Sequence, residues 1–207
     1  MIGAALVAME GLSGVLGHSA LIVGFAASLF GAASLVSATL LGKRHLLRLV
    51  AGYGWVVGAA GLAAFVVMER ALIVRDWSLA YVQKVGSYDT PVLFNITALW
   101  SALEGSVLLW LLLLAAYTLV VLRRSRRRLE DPLVAWAVVV MFLVTAFFFF
   151  IALGPADAFA AGSLPPNLER CCRGPNPLLQ NHVLVMFHPP TLYLRSEEHT
   201  SELQSHH

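Results

Sequence analysis

The sequence predicts an all-α fold, a polytopic bundle of transmembrane helices with four spans and the start of a truncated fifth. Two observations carry this. The chain has 207 residues, 58% hydrophobic and only 13% charged, against roughly 25% charged in soluble domains. Its apolar residues also fall into separate runs about as long as the 20 residues a helix needs to cross a bilayer. Hydrocarbon cannot satisfy an open backbone, so such runs are read as helices.

Taken in order, the first run is Ser19 to Leu41, uncharged and rich in Gly, Ala and Ser. The second is Leu49 to Met68. The third extends from about Asn95 to Leu122 and contains one carboxylate, Glu104. The fourth, Leu133 to Leu153, ends in the aromatic run FFFF. A fifth apolar stretch over 183–194 is too short to span and reads as a helix begun and cut off. The membrane domain is thus expected over 1–194, with an irregular Pro-, Gly- and Asn-rich loop from Gly154 to Gln180.

Arg195–His207, beginning RSEEHTSELQSH, is short, polar and patternless. It resembles a translated sequencing-adapter oligonucleotide, and its three histidines are set aside as a metal site.

Orientation comes from the loops. Lys43, Arg44 and Arg48 follow the first span, and RRSRRR (Arg123 to Arg128) follows the third. Between the second and third spans, acids and bases balance. Positive charge marks the cytoplasmic side, which puts the N-terminus and the 69–91 loop outside. The net charge of +2 is mild and confined to loops, so nothing points to nucleic acid. The only cysteines are the adjacent pair Cys171 and Cys172, which form neither a disulfide framework nor a CxxC motif.

Few residues could carry chemistry. His188 lies in FHPPTLY, where two prolines suit a first helical turn and fix the histidine's angle. A histidine in an apolar setting is a functional hypothesis by default, as haem ligand, other metal ligand or proton carrier; capping the helix is the plain alternative. Glu104 suits proton transfer, a bond to a partner helix, or an interfacial first-turn position favoured by the helix dipole. His18 and His182 read as helix-end or loop histidines, and Trp100 and Trp110 as interfacial anchors for at least one of the two.

Three segments together resemble one family. TPVLFNITALWSALEGSVLLWLLLL, NPLLQNHVLVMFHPPTLYL and LGHSALI are similar to the cytochrome c-type biogenesis haem lyases (CcmF/NrfE type), as is DWSLAYV, over about residues 10 to 194. The resemblance implies a multi-pass protein of the bacterial cytoplasmic membrane. It implies haem received from a haem chaperone and attached to apocytochrome c on the outer face, with other maturation subunits and quinol as partners. It also implies a resident haem b, with His188 as an axial ligand to its iron. The family's Trp-rich outer segment and second haem b ligand have no counterpart here. The chain is therefore expected to be an N-terminal fragment that alone neither attaches haem nor binds it tightly. A quinol-linked electron-transfer subunit holding haem b, and a haem or solute transporter, are the rival readings.

Overall fold

The computed structural model describes residues 11–88, 90–163, 174, 184 and 186–192. Cys171, Cys172, His182, most of the loop before Gln180 and the tail from Arg195 lie outside the described residues.

Helix α1 runs Leu12–Leu41 and ends at Gly42, whose φ of 66° is the left-handed turn that glycine adopts without strain. A 3₁₀ turn, Arg44–Leu46, leads into α2, Leu47–Val74. Two short helices follow, α3 at Ala80–Val85 and α4 at Val92–Thr97, then a 3₁₀ turn at Ala98–Trp100. Helix α5 spans Leu103–Ser125 and continues into the 3₁₀ turn Arg126–Arg128. Helix α6, Pro132–Leu153, starts with Pro132 at its first position while the Asp131 carboxylate accepts the N–H of Leu133 at 3.0 Å. Four of these elements are long and apolar enough to cross a membrane, so the chain is a multi-pass membrane protein of all-α class.

The spans pack in a closed ring, α1 against α2 and α6, and α5 against α2 and α6. Glycines decide how closely. On α1, Gly17, Gly24 and Gly31 recur every seventh residue, and a side chain at each would collide with the ring of Phe159, Phe149 and Phe142 respectively. Those three rings are fully buried. On α2, Gly54 and Gly61 receive Leu122 and Ala115 of α5 in the same way. A seven-residue repeat keeps the small positions on one helix face, and a missing side chain lets a large one enter. Large apolar side chains on the opposite faces, including Phe30, Leu62, Phe147 and Phe150, are exposed, as a lipid-facing surface requires. Polar matching inside is sparse: Thr118 and Thr145 meet at 3.2 Å between α5 and α6.

The first helix begins at Leu12, seven residues before the expected Ser19, and two further boundaries differ from the sequence expectation for clear physical reasons. Helix α2 continues through Glu69 and Arg70 to Val74, because nothing in MERALIV breaks a helix. The third apolar run is divided. Ala102 is extended, at φ −137° and ψ 168°, and α5 starts only after it. Just before, Thr97 Oγ1 donates to the Phe94 carbonyl and Ser101 Oγ to that of Ala98, local bonds that compete with a continuous helix.

Candidate functional site at the capped end of the bundle

One end of the ring is closed by residues 75–102 and by the segment following α6. Arg75 begins this cap. Its backbone is left-handed, with φ 56°, a conformation that costs a non-glycine residue about 1–3 kcal/mol. Its side chain offsets this by donating to the carbonyls of Ser87 (3.1 Å), Tyr88 (3.4 Å) and Thr90 (3.4 Å). Trp77 Nε1 donates to the Tyr88 hydroxyl at 2.8 Å, and Gln83 Nε2 to the Trp77 carbonyl at 2.7 Å. Asp76 takes both the N–H and the hydroxyl of Ser78. The chain after α6 lies against this loop: Ala80 N–H donates to Ala160 O, and Gly162 N–H to Ser78 O.

At the centre sits the sequence Glu104-Gly105-Ser106, and each residue binds a different part of the cap. Glu104, in the first turn of α5, accepts from Lys84 Nζ at 2.8 and 3.1 Å. Lys84 Nζ belongs to a side chain 54% exposed and Glu104 to one 24% exposed, so the pair is worth no more than about 1 kcal/mol. Gly105 is required by contact: a Cβ there would strike the Leu99 carbonyl and the Tyr81 hydroxyl. Ser106 Oγ donates to the Trp100 carbonyl at 3.1 Å. Tyr81 completes the lock, donating from its hydroxyl to Leu99 O at 2.5 Å. Burial, followed by the charge of Glu104, pushes the Tyr81 phenol above its ordinary range, so it remains a donor at neutral pH.

His18 lies in the second turn of α1, with Nε2–H donating to both oxygens of Asp157 at 2.9 and 3.1 Å. Phe159, whose N–H also binds Asp157, meets the imidazole edge-on at 6.0 Å. This ties the first span to the chain beyond the last. Trp100 is half-buried beside the core. Trp110 lies deeper in α5 and stacks on Phe148 of α6, with centroids 5.4 Å apart. His188 is in a helical segment, exposed, with exposed Phe187 and Leu192 nearby. Its imidazole makes no hydrogen bond among the described residues.

The cap brings Glu104 together with Lys84 and Tyr81, and His18 with Asp157. It does not join His188 to either group. Lys84, Tyr81, Arg75 and Asp157 were not singled out by the sequence. The available signal was that a carboxylate near a span demands a cation, and the adjoining loop holds few. Glu69 Oε2 and both amide atoms of Asn95 are likewise buried without a hydrogen-bond partner among the described residues.

No family model matches the chain. The cytochrome c-type biogenesis protein CcmF of Escherichia coli (strain K12) is 30% identical over 142 residues, which is 69% of this chain and 21% of that protein. A solved structure of cytochrome c haem lyase CcmF superposes with a TM-score of 0.72 at 33% identity, covering 88% of this chain and 28% of that one. The chain is a relative of the cytochrome c-type biogenesis haem lyases. It spans between a fifth and a third of the length of these two relatives. Within the family likeness, the Trp-x-x-x-Glu-Gly-Ser segment is the lock that sets the cap on the bundle.

Proposed function

We propose that this chain serves cytochrome c maturation as part of a haem lyase in the bacterial cytoplasmic membrane, with its N-terminus and cap outside. The observation that carries this is the joint match, in sequence and in fold, to proteins whose names state that activity. In this reading a haem chaperone delivers haem, and other maturation subunits and quinol assist.

Covalent attachment adds each apocytochrome cysteine S–H across a haem vinyl group, the sulfur to one carbon and the hydrogen to the other. Nothing is released. The demand on the protein is therefore positioning rather than acid–base power. Here the cap supplies a rigid platform, because Arg75, Tyr81 and the Glu104–Lys84 pair fix its loops to the helix ends.

His188 is the axial ligand in this reading. An exposed imidazole free to bind through a ring nitrogen, beside exposed Phe187 and Leu192, suits the apolar face of a porphyrin. When bound, haem supplies the vinyl carbons and an iron that the imidazole holds. Haem b resident in the membrane is one form of the proposal. In a second form, the iron is that of haem arriving at the outer face.

The test is a chimera in which this chain replaces the matching part of the E. coli relative, in cells lacking their own haem lyase. Haem-stained c-type cytochrome is expected from the chimera and is expected to be lost with His188→Ala. Cytochrome formed at the parent level by the variant overturns the ligand role. A pyridine haemochrome assay of the purified chimera separates the two forms. Loss of b-type haem with His188→Ala indicates the resident cofactor, whereas unchanged b-type haem with lost maturation indicates delivered haem.

A further inference from the structure

The end of the bundle opposite the cap carries two adjoining cavities that the haem reading does not use. The first, of about 760 Å³, lies between the start of α2 and the end of α5. Arg44 and Arg48 face Arg126 and Arg127 across it, over an apolar floor of Leu47 and Leu129. The second, of about 500 Å³, has Arg123 and Arg124 on its rim and Trp55, Leu119 and Leu122 on its walls. Ala51, Arg126 and Arg127 line both.

Charge is largely uncompensated there. Glu130, the one carboxylate on either wall, is engaged by Arg44 at 3.2 Å. Arg123 rests over the Trp55 ring at 5.3 Å. Arg48, Arg124, Arg126 and Arg127 have neither an ion pair nor a hydrogen-bonded partner for their side chains among the described residues. Topology alone asks only for positive charge near a span. It does not ask that arginines of two different helices converge on one concavity, nor that the concavity have an apolar floor. Beside the cavities, Leu49, Val56 and Val120 are exposed on the lipid-facing surface, which gives acyl chains a path along the bundle.

We propose that these twin cavities bind an anionic phospholipid carrying two phosphates, of the diphosphatidylglycerol type, one phosphate in each. Guanidinium groups pair with phosphate oxygens in bidentate fashion. Basic pockets between spans are suited to such headgroups. The shared wall, Arg126 and Arg127, then bridges the two phosphates, and the headgroup staples α2 to α5 at the basic end. This inference is independent of the haem assignment.

The test is native mass spectrometry of the full chain in detergent, titrated separately with tetraoleoyl cardiolipin, dioleoyl phosphatidylglycerol, dioleoyl phosphatidylcholine and inorganic phosphate. Cardiolipin is expected to bind about fivefold or more tightly than phosphatidylglycerol, and phosphatidylcholine far more weakly. Arg48→Gln with Arg127→Gln is expected to weaken cardiolipin by about tenfold or more. Arg128→Gln, outside both cavities and paired with Asp131, is expected to leave it unchanged. All three positions are exposed, and helical circular dichroism verifies that the variants remain folded. Equal binding of cardiolipin and phosphatidylglycerol overturns the two-phosphate site. An equal loss with Arg128→Gln reduces it to diffuse charge. Inorganic phosphate binding as tightly as cardiolipin makes it a site for free phosphate rather than lipid.

Discussion

Replacing Gly105 with alanine places one methyl carbon where the cap meets the helix. That carbon would fall on the carbonyl oxygen and carbon of Leu99 and on the Tyr81 hydroxyl. Two of the three obstacles are backbone atoms of a turn, so they cannot swing aside as a side-chain tip can. Forcing a methyl into such a site costs about 1–3 kcal/mol. Moving Tyr81 breaks its bond to Leu99, worth about 1 kcal/mol net. Alanine returns up to about 1 kcal/mol of helix propensity. The balance is a loss of about 1–3 kcal/mol. Gly52→Ala is the control, since nothing lies within 4 Å of a Cβ there, and it should be neutral or gain up to about 1 kcal/mol. Both are measured by titrating SDS into detergent-solubilised protein and following helicity. If Gly105→Ala proves as stable as Gly52→Ala, the contact argument for the Glu-Gly-Ser segment is refuted.

Two further outcomes follow from the same structure. Folding raises the Tyr81 phenol, so the folded chain keeps its proton where the unfolded chain starts to lose one; that stabilisation is complete below about pH 10 and is lost as pH climbs past it. Tyr81→Phe should cost about 1 kcal/mol at neutral pH yet show a shallower decline above about pH 10; an unaltered slope in SDS unfolding midpoints against pH would exclude Tyr81 as the source. Thr118→Val removes an interhelical hydroxyl bond while Thr145 still donates to the Met141 carbonyl at 2.8 Å. It should cost about 0.5–1 kcal/mol, and a loss beyond about 2 kcal/mol in the same titration would mean the pair holds α5 and α6 far more strongly than argued.

The number and class of the spans were legible because hydrocarbon length and loop charge leave simple marks in a sequence. The ends of the spans were less so. Glu69 and Arg70 looked like loop residues by charge, yet α2 continues because its neighbours favour helix and its end is set by Arg75, whose partners lie 12 to 15 residues further on. Glu104 was singled out as a carboxylate in need of explanation. Its lysine lies 20 residues away across two short helices, and no local pattern ties the two. The His18–Asp157 contact spans 139 positions and left no signal at either. By contrast, the glycines at 17, 24 and 31 were visible all along as a seven-residue repeat. What they lacked was a partner, since the phenylalanines that fill them sit on α6, Phe142 and Phe149, and just beyond it, Phe159.

That separation bears on how the protein is made. The groove of α1 enters the membrane early in synthesis, but Phe142 and Phe149 emerge about 110 to 125 residues after the glycines they cover, on the order of ten seconds later at ordinary rates of translation. Until then the first helix waits with an open seam, and only α2 is at hand to shield part of it. The His18–Asp157 contact comes later still and closes the ring. Lesions in α6 should therefore register as failures of assembly in the membrane, cleared by quality control, even where the finished protein would have tolerated them.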